Sequence, residues 1–432
     1  MKFKASEYNF IYDDLGKDQI VMYNSLTGAL AVAQETQYKQ FISYLRTGKE
    51  IEDKEFLDNL LKCGYLVPVD VDEHFLIKAK TMKGRFDTSY LSLTIAPTMA
   101  CNFRCIYCFG QGHYGNKLMD KCTQENIVQF VKNQIQDIKK LNIVWYGGEP
   151  LLALQIIENL SLKFIELCNA CNIQYNACIV TNGYLLTKEV AKKLKEYKVE
   201  FAQITVDGPQ RVHDKRRPLV NGAGSYQTIM KNLKEINGIL PISLRINVDS
   251  DNLDDADQVV EQLKEANLLH SVYPYLGLVI PYNGKYSSDK CLSDNSYSKY
   301  NLQFLIKHRI PLQTTYPIPR SNYCGADHIN SWVIDDDGYM YKCWNDIAIP
   351  EKAMGNVNYK KTLFKTDLLS DYLLFDPDSV EECSKCEMLP VCLGGCPHSR
   401  TEKRMVCEQR KFYIQDYMVE CTKNILNQKN AI

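Results

Sequence analysis

The sequence has 432 residues, of which 45% are hydrophobic and 24% charged, a balance that is typical of a globular protein and excludes a disordered chain. The formal net charge is -1, so no whole-chain field attracts nucleic acid or an anionic membrane. Seventeen cysteines, an odd number, occur without an N-terminal export pattern and without an apolar run of about eighteen residues. We therefore expect a cytosolic protein whose thiols bind metal rather than pair as disulfides.

Residues 1–85 form the first predicted module. Its predicted strands and helices lie, in chain order, at 10–12, 20–23, 35–46, 53–63 and 64–68, with the helices at 35–46 and 53–63. This order resembles the winged-helix peptide-recognition domain at the front of many peptide-modifying radical enzymes, which implies a docking site for a peptide. A capping domain with only a packing role is the alternative, because the module holds no chemical motif.

From residue 88 to residue 280, short apolar strands alternate with amphipathic helices. The predicted strands are 89–95, 143–146, 175–180, 201–206, 243–247 and 273–279, and the helices between them are 123–140, 151–169, 188–197, 226–236 and 254–266. Repeated βα units of this kind predict a parallel sheet and an α/β fold. Six repeats favour a partial (β/α)6 TIM-like barrel, in which reactive groups collect in the loops after the carboxyl ends of the strands.

Three cysteines follow the first predicted strand at the spacing Cys-x3-Cys-x2-Cys: Cys101, Cys105 and Cys108. Three thiolates hold three corners of a four-iron cluster and leave the fourth iron with an open coordination position. An open position binds a small molecule directly, whereas a structural metal site closes its shell with four protein ligands. The triple therefore indicates a catalytic iron–sulfur site.

The same run, with Tyr107 before the last cysteine, resembles the radical S-adenosylmethionine (SAM) superfamily. The resemblance implies that Cys101, Cys105 and Cys108 ligate a catalytic [4Fe–4S] cluster whose open iron chelates the amino and carboxylate groups of SAM. It also implies that one electron from the cluster cleaves SAM, and that the resulting 5'-deoxyadenosyl radical abstracts hydrogen from the substrate. By the same resemblance Tyr107 lies near the adenine, where its ring is suited to stacking.

Motifs after the later strands extend this resemblance to a SAM pocket. Gly147, Gly148 and Glu149 match the family's GGEP loop and imply contacts to the methionyl amine. Two glycines let backbone approach a ligand, and a carboxylate accepts hydrogen bonds from an ammonium. Thr205 occupies the position of a hydroxyl that contacts SAM, where the family more often has serine. Arg217 occupies that of the guanidinium that pairs with the SAM carboxylate.

The neighbours of these residues leave some alternatives open. Arg216 competes with Arg217 for the carboxylate. Asp207 is expected to cap backbone N–H groups in a turn, and His213 is expected to be structural. Leu278, in the last predicted strand, borders the adenine by the same resemblance.

A second cysteine set follows a bridge at 281–320 that carries no clear signature. Its seven members are Cys324, Cys343, Cys383, Cys386, Cys392, Cys396 and Cys407. The set resembles the SPASM domain, a module with two auxiliary [4Fe–4S] clusters found in sulfatase, quinone-cofactor, sactipeptide and ranthipeptide maturases. We expect such a domain over residues 321–432, closed by a helix after Glu408. Zinc is the alternative metal, because Cys-x2-Cys pairs also occur in zinc ribbons.

The resemblance divides these thiols between two auxiliary clusters. One cluster takes Cys383, Cys386, Cys392 and Cys407, and the other takes Cys324, Cys343 and Cys396. The second cluster is one ligand short, and the candidates for its fourth ligand are Cys291, Cys421, His328, a water or a substrate thiolate. An open auxiliary iron deprotonates a bound thiol, which is a proposed role in thioether-forming relatives. Trp344 stands where sulfatase maturases carry an aspartate base.

The remaining cysteines lack a complete metal-binding pattern. We interpret most of them as small buried apolar residues, and they are Cys63, Cys122, Cys168, Cys171, Cys178, Cys291 and Cys421. Cys168 and Cys171 share a helix face at i and i+3, but no second pair lies nearby in the sequence.

Together these motifs predict a radical SAM and SPASM maturase that acts on a ribosomally made precursor peptide. Its cofactors are SAM and three [4Fe–4S] clusters, its reductant is a flavodoxin or ferredoxin, and we expect no nucleic-acid or membrane partner. The N-terminal module, the auxiliary clusters and the absent base together favour a crosslink, and a thioether from cysteine sulfur to carbon is the leading prediction. The alternatives are a C–C or C–O crosslink to an aromatic residue, anaerobic sulfatase maturation by formylglycine formation, dehydrogenation of a small metabolite, and a non-catalytic iron–sulfur electron carrier or peptide-binding scaffold.

Overall fold

A computed structural model gives the structure of residues 2–13, 15–16, 18–108, 110, 115–281, 286–359 and 363–429. The chain forms two compact units. The barrel unit comprises Phe86–Ser293 and Gly325–Leu373, and the terminal unit comprises Met1–Arg85, Asp294–Cys324 and Leu374–Ile432. Three separate stretches of sequence therefore make up the terminal unit. The predicted domain boundaries follow motifs rather than contacts, and they stay predictions.

Strands and helices alternate through the middle of the chain, as the βα pattern predicts. Within the described residues the strands are β1 (Phe3–Ala5), β2 (Asn9–Tyr12), β3 (Gln19–Asn24), β4 (Ala29–Gln34), β5 (Leu66–Pro68), β6 (Tyr90–Ile95), β7 (Lys140–Trp145), β8 (Gln174–Val180), β9 (Val199–Thr205), β10 (Ile242–Val248), β11 (Val272–Leu278), β12 (Ser331–Ile334), β13 (Tyr339–Tyr341) and β14 (Gly355–Asn356). The α-helices are α1 (Glu35–Thr47), α2 (Lys54–Lys62), α3 (Glu73–Arg85), α4 (Lys121–Lys132), α5 (Leu154–Ala170), α6 (Lys188–Glu196), α7 (Gln210–Arg216), α8 (Tyr226–Glu235), α9 (Ala256–Glu265), α10 (Asp294–Lys307), α11 (Thr366–Leu373), α12 (Glu381–Ser384), α13 (Leu389–Cys392), α14 (Pro397–Thr401) and α15 (Ile414–Lys429).

The barrel unit is built on one sheet with the strand order β11-β10-β9-β8-β7-β6-β12-β13-β14. Strands β6 to β11 pair in parallel, which confirms the predicted α/β fold with a mostly parallel sheet. β12 extends the sheet by pairing in parallel with β6, with Ser331 opposite Ser92, and β13 and β14 add antiparallel strands. The sequence pattern does not predict these last three strands, because they are two to four residues long and lie in the cysteine-rich region.

β10 illustrates how the sheet separates its two faces. Leu244 and Ile246 are fully buried, whereas Arg245 and Asn247 lie on the opposite face and line a cavity. Successive side chains of a strand point to opposite faces. One alternating sequence therefore supplies both an apolar core and a polar wall.

One predicted helix is too long. α4 ends at Lys132, and Lys140 is already the first residue of β7. The apolar spacing continues through Ile135, which lies in a turn, and Ile138, which lies in the segment that leads into β7, and both are buried. Periodicity alone does not distinguish such turns from a further stretch of helix.

In the terminal unit, β2, β3 and β4 form an antiparallel sheet and β1 pairs with β5. The central strand β3 is buried on both faces. Ile20 and Met22 belong to one hydrophobic cluster with Phe41 of α1, and Val21 and Tyr23 belong to another that includes residues of α10 and α15. α10, which the sequence analysis leaves within the bridge, therefore packs against the N-terminal sheet.

No α-helix in the described ranges combines the length and the apolar character that crossing a lipid bilayer requires.

Candidate active site

A cavity of about 360 Å³ opens at the carboxyl ends of the parallel strands in the barrel unit. Its walls come from the loops after β6, β7 and β8 and from the ends of β9, β10 and β11. Arg217, directly after α7, and Trp344 and Asn345, after β13, complete them. The predicted site residues that line it are Cys101, Cys105, Cys108, Tyr107, Gly147, Gly148, Thr205, Arg217 and Leu278. Residues from distant parts of the sequence thus share one cavity, as parallel βα topology predicts.

The cysteine loop presents three thiols to this cavity. Backbone hydrogen bonds fix the loop, among them the one that Arg104 N donates to Pro218 O at 2.8 Å. Burial raises the pKa of Cys101 to about 11 and that of Cys105 to about 12. Both thiols are therefore protonated at neutral pH, and iron that binds them displaces the protons. Three thiols outside any disulfide, facing one cavity, fit the ligand set of an iron–sulfur cluster.

Gly147 and Gly148 let the loop after β7 lie directly on the backbone before the cysteine loop. Gly147 has φ +118°, and a Cβ there would lie 2.5 Å from the carbonyl oxygen of Thr98. A Cβ at Gly148 would collide with the carbonyl oxygen of Ala100. A larger residue at either position would therefore push the two loops apart.

Glu149 is fully buried and does not line the cavity. Its carboxylate accepts hydrogen bonds from the Thr181 hydroxyl at 2.6 Å, from Asn182 N at 2.7 Å and from Leu151 N at 3.1 Å. Burial raises its pKa, while these three donors oppose the shift. A carboxylate has about four acceptor positions, so most are used within the protein. Glu149 ties the loops after β7 and β8 together, and its contact to a methionyl amine stays a prediction.

The two adjacent arginines differ in their surroundings. Arg216 is buried and donates to Asp249 at 2.8 Å and to Asp207 at 3.4 Å. Arg217 lines the cavity, and its Nη1 donates to the Tyr107 hydroxyl at 2.7 Å. Its buried Nε has no hydrogen-bond partner among the described residues. Arg216 Nη2 likewise has no partner within the described ranges, but Arg216 lies outside the cavity lining and already pairs with two carboxylates. Arg217 therefore has the donor that a carboxylate in the cavity can reach.

The Tyr107 hydroxyl uses all of its hydrogen-bonding capacity. It donates to Asp207 Oδ2 at 2.5 Å and accepts from Arg217 Nη1 and, at 3.0 Å, from Asn247 Nδ2. A phenol offers one donor and two acceptor positions, so the ring is held in a fixed orientation in the cavity wall. The sequence resemblance predicts a role only for the ring of Tyr107, and the structure adds the hydroxyl network.

Asp207 and His213 lie behind the cavity wall. Asp207 Oδ1 accepts from Asn247 N at 3.2 Å, and His213 Nδ1 accepts from Asp207 N at 3.3 Å. Burial first, and then the two nearby guanidinium groups, hold the pKa of His213 well below its usual value. A neutral, fully buried imidazole within a backbone network fits the structural role expected from the sequence.

Several cavity residues carry no family motif in the sequence analysis. They are Tyr146, Gln203, Arg245, Asn247 and Asn345. Arg245 and Asn247 alternate with apolar residues along β10. The sequence signal that could have identified them is the pair of polar residues at every second position of an otherwise buried strand.

Four thiols of the second cysteine set line one cavity of about 300 Å³ in the terminal unit: Cys383, Cys386, Cys392 and Cys407. Burial raises the pKa of Cys392 to about 11 and also raises that of Cys383. Leu393 adopts φ +49°, and this turn directly follows Cys392. Four thiols around one cavity fit a fully ligated cluster, as the resemblance implies.

The set predicted for the other auxiliary cluster includes Cys324 and Cys396 of the terminal unit and Cys343 of the barrel unit. This ligand set stays a prediction. Of its candidate fourth ligands, Cys421 is buried in the core of the terminal unit, and His328 stacks on Tyr90 with 4.2 Å between ring centroids.

The remaining cysteines only partly follow the expectation of burial. Cys168 and Cys421 are buried, whereas Cys122 and Cys171 are exposed. The interpretation as buried apolar residues is therefore wrong for Cys122 and Cys171, because both lie on the outer face or at the end of a helix that packs by its other face.

Residues 95–263 match the family model described as the radical SAM superfamily. The chain is 26% identical over 361 residues to a cysteine-type anaerobic sulfatase-maturating enzyme of Clostridium perfringens, and the match covers 76% of this chain and 94% of the relative. It is 24% identical over 458 aligned positions to the radical SAM cyclopropyl synthase TigE of Paramaledivibacter caminithermalis, which covers 94% of this chain and 93% of the relative.

Solved structures have the same fold. Native anSMEcpe with bound AdoMet matches with a TM-score of 0.60 and 21% identity, over 79% of this chain and 99% of that one. Streptococcus suis SuiB bound to its precursor peptide SuiA matches with a TM-score of 0.52 and 17% identity, over 93% and 97%. These likenesses confirm the α/β fold.

Proposed function

We propose that this chain, a member of the radical SAM superfamily, cleaves SAM reductively and crosslinks a cysteine sulfur to a carbon in a ribosomally made peptide. The observation that carries the proposal is one cavity that combines three thiols with the Arg217 guanidinium and the Thr205 hydroxyl. A [4Fe–4S] cluster held by Cys101, Cys105 and Cys108 supplies the electron for the cleavage when SAM is bound.

The protein's own side chains orient SAM in this proposal. Arg217 holds the SAM carboxylate, and the Tyr107 hydroxyl fixes one nitrogen of the guanidinium in advance. Thr205 places its hydroxyl in the cavity from the end of β9, and Leu278 contributes an apolar edge for the adenine. Gly147 and Gly148 keep the loop after β7 close to the backbone before the cysteine loop, while the Glu149 carboxylate ties the loop after β7 to the loop after β8.

Two solved structures of similar proteins with a bound peptide support a peptide substrate. One structure is anSMEcpe with AdoMet and the Kp18Cys peptide, and another is SuiB with the precursor peptide SuiA. By likeness to these proteins we assign a peptide to the cavity of this chain. The N-terminal sheet of β2, β3 and β4 offers a strand edge to which an extended leader segment adds by backbone hydrogen bonds.

The cavity wall favours a crosslink over formylglycine formation. Trp344 stands where sulfatase maturases carry an aspartate base. Its ring packs on Tyr146 with 4.6 Å between centroids, and its Nε1 donates to Thr94 at 3.1 Å. Among the described residues that line the cavity, none is an aspartate or glutamate. A carboxylate base for oxidation of a peptide cysteine is therefore absent from the lining that the structure describes.

The auxiliary sites complete the proposal. Four thiols, Cys383, Cys386, Cys392 and Cys407, line one cavity and would hold a closed cluster suited to electron transfer. For the second auxiliary cluster, the resemblance alone supports Cys324, Cys343 and Cys396 as ligands, and its open iron would bind the peptide thiolate. We assign electron supply to a flavodoxin or ferredoxin, and we assign the protein to the cytoplasm because so many thiols need a reducing compartment.

Sulfatase maturation is the second candidate function. The match to the Clostridium perfringens enzyme over 94% of that relative's length favours it. The two candidates differ in product, because formylglycine formation converts a cysteine to an aldehyde, whereas a thioether joins two residues with the loss of two hydrogen atoms.

The test uses anaerobically reconstituted protein with dithionite, SAM and the short peptide encoded beside its gene. We expect 5'-deoxyadenosine, a peptide mass lower by two hydrogen atoms, and fragment ions that are missing between the joined residues. About 12 iron atoms per chain are expected for three clusters. The matched control is the triple variant C101A/C105A/C108A, which should lose the product.

Two results would count against the proposal. If the peptide mass stays unchanged while a sulfatase-derived cysteine peptide is converted to formylglycine, the second candidate is correct. If neither peptide changes and no 5'-deoxyadenosine forms in the fully loaded protein, both candidates fail.

A further inference from the structure

Arg245 lines the same cavity as Arg217. The proposed function assigns SAM binding to Arg217 and gives no role to Arg245. Its side chain has a defined place in the wall. Nε donates to Asn247 Oδ1 at 2.6 Å. The guanidinium lies against Gly277 of β11, where a Cβ would collide with Nε and would lie 2.8 Å from Cζ and Nη2. Glycine at position 277 therefore leaves the space that the guanidinium occupies.

Within the part of the chain that the structure describes, most of the N–H donors of Arg245 remain available to an acceptor in the cavity. Asn247 takes the Nε donor, and Tyr275 is a further hydrogen-bonding neighbour. Arginine presents its donors in a planar fork that matches a carboxylate through two parallel bonds. The half-buried Arg245 is thus held by its Nε edge, and its terminal nitrogens are suited to a planar anion.

Asn247 connects the two arginines of the cavity. Its Oδ1 accepts from Arg245, and its Nδ2 donates to the Tyr107 hydroxyl at 3.0 Å. The same hydroxyl accepts from Arg217 Nη1 at 2.7 Å. The two guanidinium groups are therefore positioned relative to each other through one amide and one phenol.

The cavity presents two guanidinium groups to its ligands. Arg217 and Arg245 face it, and the described lining residues include no carboxylate that would pair with either. A guanidinium in such a wall attracts an anionic ligand group. SAM has one carboxylate, which the proposed function gives to Arg217. A carboxylate for Arg245 would then come from another ligand, in addition to the negative charge that three cluster-bound thiolates would bring to the same cavity.

We infer that Arg245 binds a carboxylate of the peptide substrate next to the residue that is modified. The carboxylate belongs either to an acidic side chain or to the peptide's C terminus. The inference rests on the proposed function, since it names the chemistry by which that cavity selects its peptide. Arg245 is then a residue that determines specificity, and Asn247 positions it.

The test measures binding of defined tetrapeptides by calorimetry to SAM-loaded protein, kept anaerobic with its clusters oxidised so that SAM is not cleaved. The first probe is N-acetyl-Gly-Cys-Asp-Gly-amide. The second replaces aspartate by asparagine, and the third is the asparagine peptide with a free C-terminal carboxylate. Arg245→Gln removes the charge, and Arg245→Lys keeps it without the planar fork. Arg211→Gln is the control, because Arg211 is exposed and pairs with Asp255.

We expect wild-type protein to bind one carboxylate peptide about 10-fold or more tightly than the amide peptide, as for a charge-assisted hydrogen-bonded pair. Arg245→Gln should bind all three peptides equally, Arg245→Lys should retain part of the preference, and Arg211→Gln should retain all of it. The peptide that is preferred identifies the source of the carboxylate. Equal binding of all three peptides by wild-type protein overturns the inference.

SAM binding supplies the readout that separates the two arginines. Arg245→Gln should keep the iron content and the SAM affinity of wild-type protein, whereas Arg217→Gln should lose SAM affinity. If both variants lose SAM affinity to the same degree, Arg245 belongs to the SAM pocket and the inference is wrong.

Succinate as a fourth probe separates failure of this inference from failure of the proposed function. If succinate binds wild-type but not Arg245→Gln protein while no peptide binds, the anion site is supported and the peptide function fails. If peptides are crosslinked without any preference for a carboxylate, the proposed function is supported and this inference fails. If neither succinate nor the peptides bind, the inference is overturned.

Discussion

The three-thiol cavity of the barrel unit and the four-thiol cavity of the terminal unit are lined by different kinds of side chain. The first includes Arg217, Arg245 and Asn247 beside two glycines. The second is lined largely by apolar groups such as Leu389 and Met405 around its thiols. A polar wall with too few thiols to close a cluster suits a site that binds a polar cosubstrate, whereas four thiols in an apolar wall suit a closed cluster for electron transfer.

Removing the thiols of each cavity in turn should give the largest effects. C101A/C105A/C108A and C383A/C386A/C392A/C407A should each lose about four iron atoms per chain. Only the first variant should lose the heat of SAM binding, because only that cavity leaves an iron open. Iron analysis and calorimetry check both. Equal loss of SAM binding in the two variants would contradict the difference between the cavities.

Replacing Arg217 should weaken SAM binding without unfolding the protein. Arg217→Gln removes a charge-assisted contact, so we expect an affinity lower by about 10- to 100-fold. Arg216→Gln is the matched control. It leaves Asp207 and Asp249 buried with one partner fewer, and the free energy of unfolding should fall by about 3–5 kcal/mol. If SAM affinity is lost only in Arg216→Gln, then Arg216 binds SAM and Arg217 has the structural role.

Tyr107→Phe should have a smaller effect on SAM affinity and on the free energy of unfolding. It removes one hydroxyl and leaves Asp207, Arg217 and Asn247 each without one hydrogen bond. We expect the free energy of unfolding to fall by about 1–3 kcal/mol and SAM affinity to fall several-fold. Tyr286→Phe is the control, because its hydroxyl donates to Asp249 and lies outside the cavity lining. Unchanged SAM affinity in Tyr107→Phe would show that the network does not orient Arg217.

Lys411→Met should produce the smallest change, confined to the four-thiol cavity. Lys411 lines that cavity, and a cation beside a cluster favours its reduced, more negative form. The midpoint potential of the cluster should therefore become more negative, while SAM binding stays unchanged. A redox titration followed by EPR checks this, with the half-exposed Lys423 replaced by Met as the control. Equal midpoint potentials in the Lys411→Met variant and the Lys423→Met control would show that Lys411 does not affect the cluster.

The βα rhythm made most of the barrel unit predictable. All six predicted strands lie within a few residues of β6 to β11, because buried parallel strands have continuous or alternating apolar sequences between amphipathic helices. β12 was not predicted, since its four residues complete the sheet only through a partner, Ser92 to Ile95, that is far away in sequence. The helix α10 was missed for a similar reason, because its apolar residues pack on β3 from the start of the chain.

The site was predictable where a motif fixes the backbone and less so where side chains form networks. The three thiols, Gly147 and Arg217 share one cavity, as strand-end loops of a parallel sheet must. The burial of Glu149 was not predictable, because its partners Thr181 and Asn182 lie in another loop. Arg245 was also missed, since its exposure to the cavity depends on a glycine in the adjacent strand.

The EPR spectrum of reduced protein with and without SAM tests most directly that the three-thiol cavity holds an iron open to SAM. Wild-type protein should show a change in its cluster signal when SAM is added, and C101A/C105A/C108A should show none. A spectrum of fully iron-loaded wild-type protein that SAM does not alter would contradict the assignment of this cavity.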